Sequence, residues 1–167
     1  GWSSDEKFIQ LHKDDRLYFR GERPYEITYL IESKDHVPSI LDFYSRQGTN
    51  DLNNLGLRDL FDTPKPVELI KYLIKIYPGD SLVVCDFFAG SGTTAQAVLE
   101  LNEEYNQNHS FILVQSKEEL DESTKPYKTA ISFNIEPYVS EIMLYRINTF
   151  LEKNNLKDIE IIIEEVA

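Results

Sequence analysis

Gly90 and Gly92 enclose Ser91, precede Thr93 and Thr94, and follow a carboxylate, Asp86, with Phe87, Phe88 and Ala89 between it and Gly90. Two glycines let the backbone turn at positive φ and approach a ligand with no Cβ in the way. The first amides of a helix starting near Thr93 would face whatever lies over that turn. The text Gly90-Ser91-Gly92-Thr93-Thr94-Ala95 satisfies G-x-G-x-x-G/A, so a dinucleotide is one candidate ligand. Asp86 argues for another. At an effective dielectric near 20, two unit charges about 4 Å apart interact by roughly 4 kcal/mol, which repels a pyrophosphate and attracts an ammonium or sulfonium. S-adenosylmethionine carries both cations. A dinucleotide site would also want an acid ending the next strand, about 20 residues on. The next strand candidate, Ser110 to Val114, ends at the neutral amide Gln115. A tight connection that binds nothing is the third reading, although the residues in this turn exceed what packing requires.

The flanking elements must hold that turn in place. Ser81 to Cys85, after the Pro78-Gly79 turn signal, is an apolar β-rich run that predicts a strand buried on both faces, with Cys85 as a small core residue. From Thr93 to about Glu104, Ala95, Ala97, Val98 and Leu101 recur at helical spacing. Pro64 and Pro66 precede a helix over Val67 to Tyr77 with a stripe of Leu69, Ile70, Leu73 and Ile74. Residues 116–126 read as a polar, mobile loop. A helix over Pro137 to Lys153 turns Val139, Ile142, Met143, Tyr145, Ile147 and Phe150 inward, and Ile159 to Val166 offers a third strand. Upstream, Ser4 caps a short helix with Phe8, Ile9 and Leu11 apolar. Arg16 to Phe19 and Glu26 to Ile31 pair around the turn Gly21-Glu22-Arg23-Pro24, and Thr49 caps a helix ending near Gly56.

Three segments together resemble the adenine-specific (N6) DNA methyltransferases of the β class, and most closely the C-terminal part of the modification (Mod) subunits of type III restriction-modification systems. They are Phe61 to Ile70, Asp86 to Val98, and Phe111 to Gln115, similar to motif X, motif I and the strand bearing motif II. The resemblance implies that Thr63, Lys65, Pro66, Asp86, Phe87, Phe88, Ala89, Gly90, Ser91, Gly92, Thr93, Thr94 and Gln115 line the pocket for S-adenosylmethionine. Lys65 would offer an ammonium to the donor's carboxylate and Thr63 a hydroxyl, a solvated loop charge being the other reading of Lys65. Gln115, or Glu118 or Glu119, would reach the ribose hydroxyls. The D-P-P-Y motif, with which these enzymes hold an extruded adenine, is absent, and no catalytic residue is assigned. Arg23-Pro24-Tyr25 and Glu136-Pro137-Tyr138 read as turns. The expected protein is therefore a fragment, inactive by itself.

The implied fold is α/β, a partial doubly wound, Rossmann-like methyltransferase sheet of about three parallel strands with an N-terminal hairpin-containing region. Residues 1–60 would be the tail of the target-recognition or connecting region, and residues 61–167 the donor-binding half. The edge of strand 81–85 is expected to be unpaired, or covered by the N-terminal region or another copy. Partners implied are DNA, met mainly through chain not present here, a restriction (Res) subunit, and a second copy.

Composition sets bounds on these readings. The net charge of −12 is spread along the chain, residues 118–167 carrying five basic against eleven acidic side chains, so a stand-alone DNA-binding module is disfavoured. Lys13, Arg16, Arg20 and Arg23, interleaved with Tyr18, Phe19 and Tyr25, form the one basic exception, either a nucleic-acid contact or a solvated strand face. One cysteine excludes an internal disulfide, and His12, His36 and His109 lack ligand spacing and read as surface residues, so no metal is expected. No membrane segment or secretory signal is evident, and a bacterial cytoplasmic location is expected.

Overall fold

The computed structural model describes residues 5–27 and 40–164. The chain divides into two units, residues 1–39 and 40–167.

The first unit contains α1 (Asp5–Lys13), β1 (Leu17–Arg20) and β2 (Arg23–Glu26). The strands form a two-stranded antiparallel hairpin with Tyr18 opposite Tyr25 and Phe19 opposite Pro24. Arg23-Pro24-Tyr25 is therefore strand rather than turn, and Pro24 is tolerated because the strand lies at an edge. Leu11 is buried, whereas Ile9, Tyr18, Phe19 and Tyr25 are exposed. Lys7 Nζ pairs with Glu26 Oε2 at 2.8 Å, tying α1 to β2. Ser4, His36 and the segment 28–39, including the far end of the expected second strand, lie outside the described residues.

The second unit runs α2 (Ser45–Leu55), α3 (Val67–Lys75), β3 (Val83–Asp86), α4 (Thr93–Tyr105), β4 (Ser110–Leu113), α5 (Lys125–Ser132) and α6 (Val139–Lys153). Strands β3 and β4 are parallel, in the register Val83 to Ser110 through Asp86 to Leu113, and α4 is their crossover. The result is a mixed α/β unit built on one βαβ step. No third strand forms at 159–164, where Ile162 and Ile163 are exposed. An apolar run becomes a strand only where a ladder partner is available for its backbone groups. The polar segment 116–126 is also more ordered than its composition implies: Leu120 N–H donates to Pro137 O at 2.8 Å and Val139 N–H to Glu118 O at 2.9 Å. Thr124 caps the unforeseen helix α5.

Val67, Ile74, Ala97, Val98 and Leu101 form a core between α3 and α4, and Val84 packs against it. Phe111 touches this core and both neighbouring ones, so β4 is the keystone of the unit. The described residues cover only one face of the sheet. Val83 is 67% exposed, Ile112 54%, and Cys85 is exposed too, correcting the expectation of a doubly buried strand and a core cysteine. Among the described residues β3 has β4 as its only strand neighbour. Beside it lies an apolar cavity of about 420 Å³ lined by Ile70, Leu73, Tyr77, Val83 and Cys85 among others, with Asp86 and Thr94 at one end.

Lys71 and His109 are among the polar residues buried in this unit. Lys71 is 2% exposed and completes the α3 stripe Val67, Ile70, Lys71, Ile74, while Leu73, expected inward, is exposed. Lys71 meets Glu68, Glu100 and Glu104. Burial lowers its pKa, but these three carboxylates more than offset that and hold it above the ordinary value. His109 is buried rather than superficial: its Nδ1 accepts from Leu82 N–H at 2.9 Å, and Asn102 exchanges two 2.8 Å bonds with its backbone. The ring braces the starts of both strands against the end of α4.

Candidate functional site

The site grows out of the C-terminal end of β3. Val114 N–H donates to Asp86 O at 2.8 Å and Ala89 N–H to Val114 O at 3.2 Å, extending the ladder beyond the last paired residues. The chain then leaves the sheet, and Gly90 (φ 53°) and Gly92 (φ 80°) both occupy the left-handed region. A Cβ on Gly92 would stand 3.0 Å from Met143 Cγ and 3.4 Å from Met143 O, so this glycine is needed for conformation and for the close approach of α6. Gly90 is freer: its Cβ would sit 3.6 Å from the Phe61 ring. Gly92 serves as the N-cap residue of α4.

Asp86 is half-buried and spends both oxygens on the turn. Its Oδ1 accepts from Phe88 N–H at 3.0 Å and its Oδ2 from the Thr94 hydroxyl at 2.6 Å. Both donors are neutral, and among the described residues no cation pairs with Asp86. Each oxygen can accept a further bond. Gln115 Oε1 accepts from Gly90 N–H at 2.8 Å, so the residue expected to meet a ligand also closes the turn. Phe87 and Phe88 project outward, Phe88 being 92% exposed, whereas Ala89, Ser91, Gly92, Thr93 and Thr94 are buried.

The segment 63–66 is brought to the turn by backbone. Thr93 Oγ1 donates to Lys65 O at 3.3 Å. Asp51 Oδ2, from α2, accepts from Val67 N–H at 2.9 Å and caps α3 from a distance. A Cβ on Gly48 would lie 2.1 Å from Pro64 O, so α2 presses its backbone directly onto the proline segment. Thr49, expected as a cap, lies inside this helix, which starts at Ser45. Pro66 is buried, while Thr63 and the Lys65 side chain are exposed and have no hydrogen bond to the turn among the described residues.

Sequence reasoning missed the residue that lies beneath the turn. Arg146 of α6 is fully buried. Its Nη1 donates to Ser91 Oγ and Thr93 Oγ1, both at 2.8 Å, and more weakly to Ser91 O at 3.4 Å. Its Nε and Nη2 both donate to Gln96 Oε1, at 3.1 and 2.9 Å. Burial pushes its pKa down to about 10 against the opposing pull of Asp51 and Glu100. The signal was present: Val139, Ile142, Met143, Arg146, Ile147 and Phe150 follow i, i+3, i+4, i+7 spacing, with an arginine in an apolar stripe. Tyr145, expected inward, is half-buried instead.

No group of three or more His, Cys, Asp or Glu suited to a metal ion occurs among the described residues, and no described helix is long and apolar enough to cross a membrane.

A family model described as DNA methylase matches residues 4–144. The chain is 34% identical over 166 residues to the type III restriction-modification enzyme StyLTI Mod subunit of Salmonella typhimurium, an alignment covering 92% of this chain and 24% of that protein. It is 42% identical over 115 residues to the EcoPI Mod subunit of Escherichia phage P1, covering 69% and 18%. It is 32% identical over 106 residues to the type II methyltransferase M.KpnI of Klebsiella pneumoniae, covering 64% and 24%. The chain thus spans about a quarter or less of the length of these relatives.

Proposed function

Because the chain belongs to the DNA methylase family, we propose that residues 61–167 are the donor-binding part of an adenine N6-methyltransferase of a restriction-modification system. The carrying observation is the Asp86-to-Thr94 turn, with its left-handed glycines and a carboxylate facing no cation. S-adenosylmethionine, when bound, would supply an electrophilic methyl on its sulfonium, open to attack by the adenine amino nitrogen with S-adenosylhomocysteine as the leaving group and loss of one amino proton. Asp86 attracts the positive end of the donor, and Gly90 and Gly92 keep the approach free of side chains. Phe88 offers an exposed apolar surface to the adenosine, while Thr63 and Lys65 supply polar groups from the proline segment. Gln115 holds Gly90 and presents its amide towards the ribose, with Glu118 or Glu119 as further acceptors.

In this reading β3, α4 and β4 are one crossover of a Rossmann-like sheet. The acceptors that hold the adenine come from other chain, so this chain alone transfers no methyl. The DNA methylase family and the restriction-modification names of the Mod relatives support DNA as the substrate of the whole enzyme. A Res subunit as its partner and a bacterial cytoplasmic setting are parts of the same proposal. The bare side of β3 is suited to cover by a second copy.

Isothermal titration of the chain with S-adenosylhomocysteine and NAD tests the reading. The homocysteine product should bind at micromolar concentrations and NAD should not. Asp86→Asn, which keeps an acceptor and loses the charge, should weaken S-adenosylmethionine about tenfold, a difference of about 1.4 kcal/mol. Binding of NAD alone would replace this reading with a dinucleotide site. Binding of neither would favour a non-catalytic assembly role, for which the exposed Val83 and Cys85 are the supporting feature.

A further inference from the structure

A guanidinium with no water and no carboxylate against it is costly unless it holds something in place. Arg146 is fully buried and makes no ion pair among the described residues; its donors go to Ser91, Thr93 and Gln96. Its charge is balanced only at a remove, by Asp51 and Glu100, neither of which bonds to it. Gln96 Nε2 donates to Glu100 Oε1 at 2.8 Å, and Glu100 Oε2 accepts from Lys71 at 3.2 Å. The guanidinium itself, and neither carboxylate, is what meets the residues on either side of Gly92. Asp86, on the other flank of the same turn, is negative and faces only neutral donors.

We propose that Arg146 is a positioning residue that fixes Ser91 and Thr93 and sets a positive potential beneath the glycine turn, so that the turn selects the carboxylate-bearing end of the methyl donor. Together with Asp86 it gives the turn two opposite poles, matching a zwitterionic amino-acid end rather than a simple cation. This inference rests on the donor-binding reading above. Three features support it. The guanidinium grips both hydroxyls flanking Gly92 with Nη1 while its Nε and Nη2 hold Gln96, a planar fork that no lysine reproduces. Ser91 Oγ, already accepting from a cation, becomes a stronger donor. The low-dielectric surroundings of α4 and α6 screen the charge poorly, so it acts at longer range than a surface arginine.

The test compares S-adenosylmethionine with its decarboxylated analogue, which keeps the sulfonium and amine but lacks the carboxylate, by titration calorimetry on wild type, Arg146→Met and Arg146→Lys. Wild type should prefer the intact donor by tenfold or more. Arg146→Met should lose that preference while binding the decarboxylated analogue within threefold of wild type, and Arg146→Lys should keep an intermediate preference. A purely structural arginine would instead weaken both ligands equally in Arg146→Met, which would overturn the proposal, as would a preference that survives in that variant. Should circular dichroism show Arg146→Met unfolded, wild type and Arg146→Lys decide: a wild type indifferent to the carboxylate overturns the proposal. Wild type that binds neither ligand overturns the donor reading itself, a result distinct from loss of selectivity alone.

Discussion

Each unit of the chain contains a two-stranded sheet, and the two sheets differ in what lies behind them. The hairpin β1–β2 exposes Tyr18, Phe19 and Tyr25, side chains belonging to both of its faces, and Leu11 is the only fully buried hydrophobic residue described in its unit. The pair β3–β4 is no longer, but one face rests on α3 and α4, and the turn leaving it is held by side chains from α4, α6 and the strand opposite. Strand number does not make a site. A parallel pair needs a crossover helix, and that helix brings with it an N-terminus, a glycine turn and a buried layer that fix the turn's shape.

Perturbing the support of the second sheet should therefore cost far more than perturbing the first. The largest effect is expected from Gly48→Ala, whose Cβ would enter the Pro64 carbonyl; urea unfolding should show a loss of about 3 kcal/mol, and the proline segment should shift. Lys71→Met should follow at about 1–2 kcal/mol, since it leaves three carboxylates facing one another at the α3–α4 contact, part of the loss being screened because Glu68 and Glu104 reach solvent.

The same lysine gives a pH signature. Its folded pKa is raised above 10.5, so its contribution is complete below that value and fades as pH rises through the folded value. The stability gap between wild type and Lys71→Met, measured by urea unfolding, should stay constant from pH 7 to 10 and narrow above 10.5. The smallest effect should come from the hairpin. Tyr18→Ser should leave the unfolding midpoint of the second unit within about 0.5 kcal/mol of wild type.

Much of this was legible because it depends on local periodicity. The order strand, glycine turn, helix and the extents of α3, α4 and α6 follow from apolar spacing and from Pro66 and Gly92, and the structure places them within a few residues. What stayed hidden is polar or conditional. Arg146 and Lys71 occupy stripe positions where hydropathy expects leucine, and only their partners on other helices, Gln96 and Glu100 among them, make burial tolerable. His109 is buried for a similar reason, since Leu82 and Asn102 satisfy it. Val83 and Cys85 show the reverse error: their apolar text reads as core, but the described residues cover one face of the sheet only. Ile159 to Ile163 has strand-like composition and no ladder to join among the described residues. Asp86 reads in the sequence as a charge for a ligand, and the structure adds that it also ties down Phe88 and Thr94.

The central claim is that the turn from Asp86 to Thr94, rather than the hairpin, receives the methyl donor. Amide chemical shifts of the 15N-labelled chain, followed during titration with S-adenosylhomocysteine, test it most directly. The account predicts saturable shifts at Gly90, Ser91, Gly92, Thr93 and Gln115, with the amides of residues 17–26 unmoved and no response to NAD. Shifts centred on the hairpin, or a glycine turn that responds to NAD and not to S-adenosylhomocysteine, would contradict it.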